Sequence, residues 1–144
     1  MLNNNPKACR RQGPEIQFGE EITIMATLPT QNVYSKMRDL RWSPKEKAIA
    51  RRAFDRALRR ELETTIQEAR QIAARIKEPD ELWELERHLT QRRKEIDAKY
   101  EFKYSVLLLV LADLVREDRI NLDELHGLGE DKLRIIRDHA QSAA

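Results

Sequence analysis

The sequence predicts an all-α fold, with two long helices forming an extended stalk and a compact three-helix C-terminal head. Three observations carry that expectation. Charged residues make up 36% of the 144-residue chain and aromatic residues 6%, with only Gly 4 and Pro 5, a composition of long solvated helices rather than of sheets. Between Lys45 and Lys77 no Pro or Gly interrupts the chain. From Leu58 onward, apolar residues recur at spacings of three and four, the period of a helix face.

Each element follows from local signals. Residues 1–41 show no sustained period, because Gly13-Pro14, Phe18-Gly19 and Leu28-Pro29 interrupt every apolar run, so a flexible or disordered leader is expected. Ile22-Thr23-Ile24 is its one candidate extended piece. A single helical domain is expected over 42–144, with 42–103 as the dimerisation part and 104–144 as the head. Ser43, Pro44 and Glu46 form a capping box with proline at the first helical position. The helix they start runs to about Lys77, with Leu58, Leu62, Thr65, Ala69, Ile72 and Ile76 on one seam. At 1.5 Å per residue it reaches roughly 50 Å, longer than a small domain can cover alone.

Glu78-Pro79-Asp80 ends that helix and reverses the chain. Leu82, Leu85, Leu89 and Ile96 continue at helical spacing to about Lys99, with Arg92 or Arg93 where the stripe calls for an apolar residue. Tyr100 to Tyr104 reads equally as a kink or a continuation. Val106 to Val115 is the most apolar helix, but at about half the roughly 20 residues a bilayer span needs, it reads as buried core. Asn121 and Glu124 cap a short helix that Gly127 and Gly129 end, and a last helix runs from about Glu130 to Ala140 with Leu133, Ile136 and Ile135 inward.

The net charge of +2 is unevenly placed. Arg41 to Arg60 carries eight Lys or Arg against Glu46 and Asp55, and the residues after it are net acidic. Such polarity suits docking onto a charged protein or self-association through opposite faces, and equally a plain solvated helix surface. The lone Cys9 gives no disulfide framework and no zinc set, as expected for a reducing, cytoplasmic location. No secretory signal pattern is read near the N-terminus.

No catalytic motif, cofactor motif or metal-ligand spacing is found. His88, His126 and His139 are scattered, and Glu84 with His88 reads as an ion pair along one helix. Leu125-His126-Gly127-Leu128-Gly129 has the form of a DNA-binding helix-hairpin-helix turn, whose amides hold phosphates. Asp123, Glu124, Glu130 and Asp131 crowd it and would repel a polyanion, so nucleic acid is not an expected partner.

Trp83, Leu85, Leu89, Arg93, Glu95-Ile96-Asp97, Lys99-Tyr100, Ser105-Val106, Glu124-Leu125 and Asp131-Lys132 form an ordered series spanning about 42–140. Over that range the chain resembles the fluorescence recovery protein family, regulators of the orange carotenoid protein in cyanobacterial photoprotection. The resemblance implies a non-enzymatic all-helical homodimer that binds the photoactivated carotenoid protein and returns it to its inactive form. It places the tryptophan and arginine of the second helix, here Trp83 and Arg93, near the dimer interface. Glu86, Arg87 and Leu89 are expected to join the interface, with Leu58 and Leu62 from the first helix. Trp83 reads equally as core, and Arg93 as the partner of Asp97 along the helix. The family pattern has a histidine and then an aspartate where this chain has Glu86 and Arg87. That difference gives an alternative: a divergent relative that dimerises on the same fold and binds another protein.

Overall fold

The computed structural model describes residues 29–142. Among them the regular elements are helical, with no named strand. The first, α1 (Pro29–Asp39), falls in the segment read above as an unstructured leader. Pro29 suits a first helical turn, no Gly or Pro follows it before Asp39, and Lys36 and Arg38 oppose the negative end of the helix dipole. Val33, Met37 and Leu40 fall at i, i+4 and i+7, a short apolar stripe that the interrupting Gly and Pro residues upstream obscure, and Met37 is 2% exposed. Cys9 and Ile22-Thr23-Ile24 lie outside the described residues. The chain divides after Asp39, and Leu40 begins a second unit.

In that second unit α2 (Pro44–Arg75) opens on the expected capping box: Glu46 N–H donates to Ser43 Oγ at 3.1 Å, and Ser43 N–H to Glu46 Oε1 at 3.0 Å. Its 32 residues extend roughly 48 Å. The stripe buried against the rest of the unit is Ala50, Ala53, Phe54, Ala57, Glu61 and Thr65. This stripe is distinct from the seam that starts at Leu58 and Leu62 and shares only Thr65 with it. Alanines allow close helix approach, and the neighbouring elements pack on them, while Leu62 and Ile66 are left 45% and 49% exposed.

The break at Pro79 is a 3₁₀ turn (Pro79–Glu81), where the Glu81 carboxylate accepts from the N–H groups of Lys77 and Glu78. The next helix, α3 (Leu82–Lys99), returns along α2 and fully buries only Ile96. The chain then leaves helical geometry from Tyr100 to Val106, which settles the kink-or-continuation alternative as a break.

The head begins with α4 (Leu107–Arg116), whose residues Leu107, Leu108, Leu111 and Leu114 are at most 1% exposed. Complete burial of a leucine contributes roughly 1.5–3 kcal/mol, so this helix anchors the core. Asp118 stops it at φ 58°, and Arg119 N–H returns to Leu114 C=O at 2.8 Å. An aspartate fills here the left-handed position that glycine usually takes. After Asn121, the expected third head helix is a four-residue 3₁₀ turn (Leu122–Leu125), with the Asn121–Glu124 capping box in place. The last helix, α5 (Glu130–Ser142), packs on α4 around Ile136.

Candidate protein-interaction site

The link between α2 and α3 is polar. Glu61, 1% exposed, accepts hydrogen bonds from Arg92 Nη2 at 3.1 Å, Lys99 Nζ at 3.0 Å and Tyr100 Oη at 2.9 Å. Arg119 Nε lies 3.3 Å from Glu61 Oε2, an ionic contact without hydrogen-bond alignment. Glu95 and Glu68 also pair with Arg92, and Glu117 with Lys99, spreading the positive charge. Burial alone pushes the Glu61 carboxyl upward, but the bonds from Lys99, Tyr100 and Arg92 outweigh it and hold the group below the usual range. Tyr100 is pushed upward, first by burial and then by its bond to Glu61. Arg92 is thus the polar interruption of the α3 stripe, turned inward to a carboxylate. Glu61 carries no sequence signal of its own, since a glutamate in a long helix reads as solvated.

This clamp fixes which face of α3 points away. Trp83 is 59% exposed, Leu82 48% and Leu89 41%, so Trp83 is not core. Glu86 and Arg87 are exposed, with Glu86 accepting from Thr90 Oγ1 at 2.8 Å. Arg93 has 85% of its side chain exposed and lies 3.9 Å from Asp97. On α2, half-buried Leu58 joins Leu62 and Ile66 along an open groove of about 440 Å³ that Asp55, Arg59 and Glu63 also line. Every interface residue expected from the sequence therefore reaches solvent, from two helices. A tryptophan and an arginine on an outer surface are side chains that protein interfaces use as anchors.

The hairpin of the head is closed to phosphate from inside. Gly129 N–H donates to Glu46 Oε2 at 2.8 Å, and buried Lys132 Nζ reaches the same oxygen at 3.1 Å. Burial pushes the Glu46 carboxyl up, yet the N–H groups of Ser43 and Gly129 and the Lys132 ammonium bring it down to about 2. A carboxylate of the chain thus occupies the place of a phosphate. Two of the histidines also pair internally. His88 meets Glu68 at 2.9 Å, rather than the expected Glu84, and His139 lies 3.5 Å from Asp113. Among the described residues no three His, Cys, Asp or Glu side chains converge to hold a metal ion. Nor is any described helix long and apolar enough to cross a membrane.

Comparison with known proteins places these features in a wider set. Residues 42–140 match the family model described as photoprotection regulator fluorescence recovery protein. The fluorescence recovery protein of Synechocystis sp. PCC 6803 is 36% identical over 96 residues, covering 67% of this chain and 88% of the relative. The solved structure of the Fremyella diplosiphon fluorescence recovery protein superposes with a TM-score of 0.65 at 40% identity, covering 70% of this chain and 99% of that one. The Synechocystis structure gives a TM-score of 0.66 at 35% identity with the same coverage.

Proposed function

This chain belongs to the fluorescence recovery protein family of photoprotection regulators, and on that premise we propose that it is a non-enzymatic, cytoplasmic homodimer that binds the photoactivated orange carotenoid protein and speeds its return to the inactive form. The observation that carries this reading is the solvent-facing surface of Trp83, Leu89 and Arg93 on α3, together with the open Leu58–Leu62 groove of α2. Two long helices with unpartnered apolar residues suit a dimerisation stalk, and the packed α4 and α5 suit a head.

The regulator acts by differential binding. It accelerates relaxation only to the extent that it holds the barrier state more tightly than the active state, about 1.4 kcal/mol for each tenfold in rate. The deciding experiment follows the dark back-conversion of photoactivated orange carotenoid protein by absorbance, with and without this chain at equal concentration. An acceleration supports the proposal, and an unchanged rate with folded, dimeric protein removes it.

Exposed Glu86 and Arg87 support a second reading, a divergent relative that dimerises in the same way and binds a different protein. A cation at Arg87 meets a basic partner group with a like-charge cost of several kcal/mol. Under this reading Arg87→Asp gains activity on the carotenoid protein that the parent chain lacks.

A further inference from the structure

The outward side of the first half of α2 carries a row of arginines that meets the Leu58–Leu62 groove at Asp55 and Arg59. An open groove of about 470 Å³ runs there, lined by Ala48, Arg51, Arg52, Asp55, Arg56 and Arg59. Arg52, Arg56 and Arg59 fall at i, i+4 and i+7, one face of the helix. Arg52 has no acidic partner among the described residues, the Arg56 side chain is 54% exposed, 3.6 Å from Glu124, and Arg59 Nε meets Glu63 at 3.3 Å with its side chain 82% exposed. The wall of the groove is preorganised. Arg51 Nε bonds Asp55 at 3.2 Å, and its guanidinium sits 4.8 Å from the Phe102 ring centre. Phe102 in turn packs edge-on against exposed Tyr104, with Lys47 5.4 Å from the Tyr104 ring centre.

We propose that this face is a second docking surface, distinct from the Trp83–Arg93 face, and that its occupant is an acidic amphipathic helix of another protein. Carboxylates at the same i, i+4, i+7 spacing would lie opposite Arg52, Arg56 and Arg59, where the planar guanidinium fork donates two parallel N–H bonds to a carboxylate. Between them, Ala48 and the arginine stems give an apolar floor for a small side chain. Charge complementarity selects the acidic partner. The interleaved Asp55 and Glu63 disfavour a continuous polyphosphate, which needs an unbroken basic track.

The test uses the full chain and a labelled, alanine-based helical peptide with glutamates at i, i+4 and i+7, with its glutamine counterpart as control, read by anisotropy at low salt. The glutamate peptide is expected to bind at least about tenfold more tightly than the glutamine one. Arg52→Glu with Arg56→Glu is expected to abolish that preference, and Arg52→Ala to reduce it, with the helical circular dichroism of both variants retained. Equal binding of the two peptides, or a preference that survives the double variant, overturns the proposal. Displacement of the peptide by duplex DNA at equal charge assigns the groove to a polyphosphate instead. A change in oligomeric mass in Arg52→Ala assigns it to a second copy of the chain.

Discussion

Gly129 N–H and Glu46 Oε2 meet at 2.8 Å, so the amide at the start of α5 is satisfied by a carboxylate from the first turn of α2. The same oxygen accepts from Lys132, whose ammonium is 5.2 Å from the Trp42 ring centre. One glutamate therefore closes a cap, fills an anion position and neutralises a buried lysine.

A pH dependence follows. The Glu46 carboxyl is held at about 2, below its ordinary value of 4.5, so the native state binds fewer protons than the unfolded chain. Its contribution to stability is fully present above about pH 4.5 and is lost as pH falls toward 2. Urea midpoints should rise with pH across that window and then level off. In Glu46→Gln the rise should be shallower, and parallel curves for the two proteins refute the assignment.

Replacement of Glu61 by Gln leaves Arg92, Lys99 and Arg119 without their shared carboxylate. Loss of one partner from a buried charge cluster typically costs about 3–5 kcal/mol. Chemical denaturation should show a destabilisation of that order. A change below about 1 kcal/mol means that Glu68, Glu95 and Glu117 compensate for the missing charge.

Trp83→Ala separates interface from fold. A side chain that is 59% exposed contributes little to folding, so thermal stability measured by circular dichroism at low protein concentration should shift by less than about 0.5 kcal/mol. Self-association or acceleration of carotenoid-protein recovery should fall sharply. A variant that melts much earlier yet still associates places Trp83 in the core instead.

Gly127 takes φ 107°, and a Cβ there would stand 2.5 Å from Ile49 Cδ1. Gly127→Ala should therefore cost about 1–3 kcal/mol, combining backbone strain with the clash. Ile49→Val in the same chain should recover part of the loss, because it removes the offending methyl. Additive effects of the two substitutions count against direct contact.

The sequence made the helix boundaries legible wherever a side chain states them. Ser43, Pro44 and Glu46 open α2, Pro79 separates α2 from α3, and Asn121 with Glu124 caps the turn before the hairpin. It also marked the inward arginine of α3, because Arg92 interrupts an apolar stripe. The buried face of α2 was not legible. Its close contacts use alanines and Glu61, which carry little hydropathy, while Leu58 and Leu62 draw the eye to the adjoining exposed stripe. Likewise Asp118 stops α4 without the glycine that would announce it, and the apolar stripe of α1, Val33 and Met37, is too short to stand out beside the Gly and Pro residues before it. The interface residues were named from likeness to a family.

The two tryptophans of this chain stand in opposite surroundings. Trp42 lies between the Lys132 ammonium and the Tyr104 ring, part of the contact that joins α2 to the last helix, whereas Trp83 faces solvent on α3. Intrinsic emission from this protein thus carries two signals with different origins. The Trp42 signal should change when the head comes away from α2, and the Trp83 signal when something covers α3. Trp42→Phe and Trp83→Phe chains would let a single optical titration distinguish a partner that binds from one that unfolds its target.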